Sequence, residues 1–170
     1  MSWNSVTDAI MNKAELLTRI IETLSLDLDV VQRAAQTAYE TATAEENIAE
    51  NKYDTLGLEA SYLATGQARR MEEIRQARAA YLQLVLRDYD SSCGIQVSNL
   101  VTLEADNGSC QRLFLGPEAA GMKIGQGAEV VTVITPRSPL GQGLIGKGVD
   151  EEVSLVLGGR QQHFWVVGVC

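Results

Sequence analysis

Apolar side chains recur at alternating steps of four and three residues along the first part of the chain. The members of this series are Leu17, Ile21, Leu24, Leu28, Val31, Ala35, Ala38 and Ala42. A repeat of this period is typical of a helix that packs against another helix along one seam. Because the later members are small, two helices can approach more closely there. The pattern therefore predicts a long, paired helix that begins near Thr7 or Asp8, either of which could cap it.

A second helical pattern follows and ends near Leu86 or Arg87. Its apolar positions are Ala60, Ala64, Ala68, Met71, Ile74, Ala77, Tyr81 and Leu84. Asn47 followed by Glu50 resembles a capping box and marks a start for this helix. The second series begins with small residues and ends with large ones, the reverse of the first. The small residues of the two helices therefore face each other only if the helices run antiparallel. A helix of roughly 37 residues would be about 55 Å long, which predicts a projecting helical hairpin.

The turn of this hairpin, residues 45–54, is rich in acid. It contains Glu45, Glu46, Glu50 and Asp54 against the single basic residue Lys52. One interpretation is structural, with Glu50 as a capping residue and Glu45 and Glu46 as a solvated helix end. The concentration of carboxylates at the end of a long arm favours a functional tip instead.

The period changes from helical to strand-like beyond a linker at 88–94. Asp106-Asn107-Gly108 indicates a hairpin turn, and Gly158-Gly159 indicates another. These signals predict an α+β protein in which residues 1–90 form the hairpin domain and residues 91–170 a small antiparallel sheet of about five strands. The strands are expected at 97–105, 110–115, 129–134, 152–157 and 162–169, with one short helix at 140–145.

The formal net charge is −8, and most of the excess acid lies in residues 1–92. This balance argues against direct binding of DNA through a basic face and favours a basic protein partner or a bound cation. No signal peptide or membrane-spanning stretch is visible, and three cysteines without a metal-binding spacing are typical of reduced thiols. A cytoplasmic monomer is expected.

The segment Ser138-Pro139-Leu140-Gly141-Gln142-Gly143-Leu144-Ile145-Gly146-Lys147 resembles the C-terminal signature of the bacterial Gre transcript-cleavage factors, S-P-[IL]-[AG]-x-[AG]-L-[IL]-G-K. The order of the parts is similar as well, since these factors have a helical hairpin followed by a small FKBP-like sheet domain. Glu50, Asn51 and Tyr53 loosely resemble the E-N-A-E-Y of the family's tip.

The resemblance implies a transcription elongation regulator that binds RNA polymerase. In such factors the sheet domain docks at the rim of the secondary channel, which here implicates Arg137, Ser138, Pro139 and Leu140, and the hairpin enters the channel with its tip, including Asp54. Glu50, helped by Glu46 or Glu45, would then act on cleavage of backtracked RNA. Glu50 and Glu46 would share a Mg²⁺ with the polymerase active site, since Mg²⁺ prefers hard oxygen ligands. Such a protein is not an enzyme by itself, binds no cofactor alone and contacts the nascent RNA indirectly.

One position departs from the family pattern. The active tip reads D-L-x-E-N, whereas this chain has Asn47-Ile48-Ala49-Glu50-Asn51. An amide is a neutral and weaker cation ligand, so a second hypothesis is a non-cleaving channel binder that inhibits or tunes transcription. Two further hypotheses are a peptidyl-prolyl isomerase, with Phe114, Phe164 and Trp165 available to line a proline pocket, and a coiled-coil adaptor. His163 is interpreted as a structural strand residue.

Overall fold

A side chain caps the start of the first long helix, and side chains hold the backbone beyond the end of the second. The computed structural model describes residues 12–46 and 53–170, without the side chains of 42–43, 45–46 and 53–65. Helix α1 spans Lys13–Glu46, and Asn12 Oδ1 accepts a hydrogen bond from Glu15 N at 2.8 Å, so Asn12 caps this helix. The starts expected at Thr7 or Asp8 lie outside the described residues.

Helix α2 spans Tyr53–Leu82 and is shorter at its C-terminal end than the apolar pattern predicts. The reason lies in the backbone of Arg87. Its N–H donates to Ser98 Oγ at 2.8 Å, and its carbonyl accepts from Lys13 Nζ and from Asn99 Nδ2. These side chains occupy backbone N–H and C=O groups that a longer helix would need for its own hydrogen bonds. The expected start at Asn47 with Glu50 lies outside the described residues.

The two helices are antiparallel, because Lys13 contacts Arg87 while Ser25, further along α1, accepts a hydrogen bond from Arg78 Nε at 2.9 Å. The predicted seam largely matches the burial, since Leu24, Ile74, Ala77 and Tyr81 are buried. At the beginning of α1 the most buried positions are Leu16 and Ile20, one residue before the expected Leu17 and Ile21.

The remainder of the chain forms a sheet with one short α-helix and a 3-10 turn at Gly127–Glu129. The strands are β1 (Leu100–Ala105), β2 (Cys110–Leu115), β3 (Lys123–Ile124), β4 (Val131–Ile134), β5 (Glu152–Leu157) and β6 (Arg160–Val169), and α3 spans Pro139–Leu144. The short helix lies within one residue of its predicted range. The first strand begins later than expected because residues 97–99 form a turn in which Ser98 has φ 81°.

The sheet is mixed and six-stranded, in the order β3-β4-β2-β1-β6-β5. The expectation of an antiparallel sheet of about five strands is wrong in two respects. Strand β4 pairs parallel to β2, because the chain crosses over through β3 before it returns. Strand β3 has only two residues, too few to produce an alternating pattern in the sequence.

Both faces of the sheet bury apolar side chains. A core cluster on one face contains Ile95, Val101, Leu103, Leu113, Leu115, Ile134, Leu144, Val153, Phe164 and Val166. Alternation along β1 and β2 directs Leu100 and Phe114 to the opposite face, where both are also buried. On that face the Tyr81 hydroxyl donates to the carbonyl of Glu118 at 2.7 Å, and the ring lies against Gly116. Burial raises the pKa of Tyr81 well above its ordinary value.

Contacts between residues divide the chain into two compact units. Among the described residues, one unit contains 12–20 and 80–170, and therefore the sheet together with the ends of both long helices. The other unit contains residues 21–79. The domain boundary expected between residues 90 and 91 stays a prediction.

Replacement of Gly116 by alanine tests the contact with Tyr81. A Cβ at this position would overlap the Tyr81 hydroxyl, so we expect Gly116→Ala to lower the free energy of unfolding by about 1–3 kcal/mol. A Cβ at Gly66 in α2 meets no atom within 4 Å, so Gly66→Ala should raise the same quantity by up to about 1 kcal/mol. Urea denaturation measures both, and equal effects of the two substitutions would contradict this account.

Candidate functional site

The segment Arg137–Leu144 turns the chain from β4 into α3, and its first residues are set by helix capping. Ser138 is the N-cap, with φ −71°. Its hydroxyl donates to the carbonyl of Thr135 at 2.7 Å and accepts from Gly141 N at 3.1 Å. Pro139 follows at the first helical position, where the lack of an N–H costs nothing. The Ser-Pro pair is therefore explained by the local fold.

The glycines of the segment allow close approach of backbones. A Cβ on Gly141 would overlap the carbonyl oxygen of Thr135, and one on Gly143 would lie 3.0 Å from Val153 Cγ1. Gly146 has φ 78°, and its carbonyl lies where a Cβ on Gly94 would be. The expectation that these glycines serve backbone geometry is confirmed.

The surface of this segment is formed by side chains that take part neither in the helix cap nor in the core. Arg137 is 73% exposed and forms an ion pair with Glu118 at 2.7 Å. Pro139 and Gln142 are exposed, and Ile145 is 44% exposed. We call these four residues, Arg137, Pro139, Gln142 and Ile145, the docking surface. Of the other residues expected here, Ser138 is half-buried by its capping bonds and Leu140 packs against the core cluster.

Ile145, like Gln142, belongs to the docking surface although the sequence analysis did not name it individually as a contact. It is the C-cap of α3, and its N–H donates to the carbonyl of Gly141 at 3.0 Å. Its neighbour Leu144 is fully buried. Leu144 and Ile145 are both apolar, so the sequence does not indicate which of the two side chains is exposed. The course of the backbone at the end of α3 decides this.

The acidic turn lies between the two long helices. Glu45 and Glu46 belong to the last turn of α1, and Asp54 to the first turn of α2. The C-terminal end of a helix carries partial negative charge, so carboxylates there are unfavourable unless a cation compensates for them. The last turn of α1 contains no basic residue. Glu50 lies outside the described residues, as do Asn47 and Lys52.

A metal site at the tip remains a prediction. The side chains that the structure describes within residues 12–46 and 53–170 form no group of three His, Cys, Asp or Glu residues that could hold a metal ion. The side chains of Glu45, Glu46, Glu50 and Asp54 are outside that set. As donors, carboxylates are the oxygen ligands that Mg²⁺ prefers.

The aromatic residues considered for a proline pocket do not converge on one. Phe114 and Phe164 are buried, on opposite faces of the sheet, and Trp165 is 38% exposed beside Phe164 in β6. A groove of about 740 Å³ in the sheet unit is lined by residues such as Thr102, Arg112 and Ala128, and no aromatic residue is among them. These positions give the prolyl-isomerase hypothesis no support.

Two remaining features bear on the class of protein. Cys93, Cys110 and Cys170 are free and exposed. None of the three helices, as far as the structure describes them, has an apolar stretch long enough to cross a membrane. Its helices and strands make the chain an α+β protein with a helical hairpin followed by a six-stranded mixed sheet.

Comparison with solved structures finds transcription factors that are similar to this chain. No protein-family model and no curated protein matches the chain. The GreA factor homolog 1 (Gfh1) protein of Thermus thermophilus is 18% identical over 88% of this chain and 94% of its own, with a TM-score of 0.37. Thermus aquaticus Gfh1 is 20% identical over 87% and 92%, with a TM-score of 0.37. The prokaryotic transcription elongation factor GreA/GreB from Nitrosomonas europaea is 14% identical over 68% and 94%, with a TM-score of 0.32.

These structures bear the names of the group of factors that the Ser138–Lys147 segment resembles. With identities of 20% or less and TM-scores of 0.37 or less, the likenesses by themselves do not decide what this chain does. The function is therefore proposed from the residues of the chain.

The capping segment yields a stability prediction. We expect Gly141→Ala to lower the free energy of unfolding by about 1–3 kcal/mol, because the new methyl group would push α3 away from the end of β4. Gln142→Ala, one residue further on an exposed position, should change it by less than about 0.5 kcal/mol. Thermal or urea unfolding measures both, and an unaffected Gly141→Ala variant would refute the close approach.

Proposed function

We propose that this protein is a transcription elongation regulator that binds RNA polymerase. The sheet unit docks at the rim of the secondary channel, and the hairpin carries its acidic tip toward the active site. The observation that carries the proposal is the placement of Glu45 and Glu46 at the C-terminal end of a 34-residue helix whose last turn contains no basic residue. Carboxylates destabilise a helix at this end, and a cation supplied by a partner would compensate for their charge.

The dimensions of the arm agree with this role. A helix of 34 residues is about 51 Å long, enough to extend from a docking site at the surface of a large partner to a recessed centre. The tip then needs only one or two carboxylates to help hold a second Mg²⁺ and its water. The polymerase performs the hydrolysis, and this protein, which is not an enzyme by itself, modulates it.

The partners follow from the same proposal. The protein contacts the nascent RNA through the polymerase rather than directly, and it does not bind DNA, in keeping with a net charge of −8. It binds no cofactor alone, since the Mg²⁺ is shared with the polymerase. Its place is the cytoplasm, where the polymerase acts.

Docking is assigned to the docking surface of the sheet unit. We expect Pro139→Glu and Ile145→Glu each to weaken binding to core RNA polymerase about tenfold or more, since a buried unpaired charge is costly at an interface. Glutamate at the first helical position also suits the helix dipole, so Pro139→Glu should remain folded. Biosensor titration with immobilised polymerase measures the affinity.

Val167→Glu provides the matched control for Ile145→Glu. Val167 and Ile145 are both β-branched and similarly exposed, at 43% and 44%, and Val167 lies in β6 rather than in the docking surface. Its replacement should leave the affinity unchanged. If all three variants bind like the parent, the docking assignment is wrong.

The tip is assigned the effect on transcription. Changing Glu45, Glu46 and Glu50 together to Gln should abolish that effect while preserving the helices, because Gln is a comparable helix former. A control variant with Glu22, Glu72 and Glu73 changed to Gln removes the same charge from exposed positions along the hairpin, away from the turn. Stalled, backtracked elongation complexes are incubated with each variant, and RNA cleavage and extension are followed on gels. A triple tip variant as active as the parent would refute the assignment.

Asn47 favours a second mode of action within the same proposal. The position that carries an acid in active tips is an amide here, so the protein can occupy the channel and inhibit without stimulating cleavage. The same assay applied to Asn47→Asp separates the two modes. Cleavage that rises with aspartate identifies the native protein as a weak or non-cleaving regulator, and cleavage already complete with asparagine identifies a cleavage factor.

A further inference from the structure

Strand β5 lies at one edge of the sheet. It pairs with β6 on one side, and no other described strand pairs with its second side. Its sequence, Glu-Val-Ser-Leu-Val-Leu, is rich in strand-forming residues, and Val156 is 72% exposed. Natural edge strands are usually shortened, bulged or blocked by Pro or Lys. The six residues of β5 contain neither residue type and pair with β6 in continuous register.

The turn that joins β5 to β6 decides which backbone groups face outward. Gly158 and Gly159 have φ 59° and 78°, the signature of a type I′ turn, and Leu157 pairs with Arg160 across it. The pair that closes such a turn exchanges hydrogen bonds, and bonded and non-bonded pairs alternate from there. The N–H and C=O groups of Glu152, Ser154 and Val156 therefore point away from β6, toward the free edge.

The side chains along this edge form an exposed row. Glu152 and Ser154 both contact His163 Nδ1 in β6, at 2.7 and 2.8 Å. These contacts lie on the exposed face of the sheet and leave the outward backbone groups accessible. The middle of the edge carries no charged side chain, because Ser154 lies at its centre and Val156 beside it.

The ends of the edge have opposite charge. Asp150, Glu151 and Glu152 precede or begin β5, and Arg160 follows the turn at the other end; all four are exposed. Among the described residues no lysine or arginine forms an ion pair with these acids, and no carboxylate pairs with Arg160. An edge that is acidic at one end and basic at the other is complementary to itself in the antiparallel direction.

We propose that the occupant of this edge is a second copy of the chain, paired antiparallel through β5 about a twofold axis at Ser154. This register places Ser154 opposite Ser154 of the second copy and Glu152 opposite Val156, so that outward backbone groups meet outward groups. Glu151 then lies on the same face as Arg160 of the second copy, two strands away, within reach of a long side chain. No like charges are directly opposite.

The contact is small. Three outward-facing residues on each side bury much less than the roughly 800 Å² per partner of a standard interface. Association is therefore weak and depends on protein concentration, with the monomer expected from the sequence as its dilute form. The twofold symmetry gives a closed dimer rather than a fibre.

Two lysine substitutions test the register. Ser154→Lys sets two lysines against each other at the axis, whereas Val156→Lys sets each lysine opposite Glu152 of the second copy. We expect the first to lower the association constant about tenfold or more and the second to preserve or raise it, because opposite charges across strands attract and like charges repel. Sedimentation equilibrium of the full chain from micromolar to millimolar concentration measures both. A parent protein that is monomeric throughout, or equal losses in the two variants, overturns the proposal.

A charge exchange tests the ends of the edge independently. Arg160→Glu and Glu151→Arg should each weaken association several-fold by removing the attraction between copies. The double variant restores a complementary edge of reversed sign and should associate more tightly than Arg160→Glu. Since Glu151 also accepts a hydrogen bond from Gly148 N, circular dichroism and thermal unfolding verify that each variant is folded. A folded double variant no tighter than Arg160→Glu overturns the proposal.

Discussion

The buried hydroxyl of Tyr81 is the contact on which the joining of helix and sheet depends. It donates to the carbonyl of Glu118 at 2.7 Å, and the ring occupies the space that Gly116 leaves by having no side chain. Without this partner the buried hydroxyl would lose its hydrogen bond, which costs about 1–3 kcal/mol. The end of α2 is therefore held on the sheet, and Arg87, a few residues further, is held by Lys13, Ser98 and Asn99.

The segment Ser138–Lys147 shows how a recognisable sequence motif can have mainly structural causes. Its Ser and Pro are a helix cap and a first helical residue, Gly141 allows the carbonyl of Thr135 to approach, and Leu144 enters the core. Each position answers a requirement of packing α3 against the sheet. The side chains left for a partner, such as Arg137 and Ile145, are a by-product of that arrangement, since they are the ones that the cap and the core do not use.

The two regions proposed to meet other molecules follow different physical rules. In the proposed function, the carboxylates of the tip repel one another and oppose the helix dipole, so the tip requires a cation from outside. The edge of β5 needs no ion, because its unpaired backbone groups are satisfied by any strand that aligns with them. Charge at its two ends selects the direction of that strand. The first region is proposed to act from the end of the helical hairpin, and the second belongs to the sheet unit.

The sequence by itself determined the elements whose signal is local and periodic. Its spacing of apolar residues predicted two antiparallel helices, and its turn residues predicted the hairpins at Asn107-Gly108 and Gly158-Gly159, because a repeat of side chains along one face and a positive φ at glycine are properties of neighbouring residues. The short helix was also expected, within one residue of its observed range. The candidate tip was found by composition alone, and its side chains remain undescribed.

Only the tertiary structure decided the pairings between distant residues. The parallel contact of β2 with β4, the two-residue strand β3, the early end of α2 and the exposure of Ile145 rather than Leu144 depend on partners that are far away in the chain. The free edge of β5 is of the same kind, since a strand is an edge only by virtue of where every other strand lies. Local periodicity contains no information on these pairings. They depend on which distant backbone groups form hydrogen bonds and which apolar faces pack together in the folded chain.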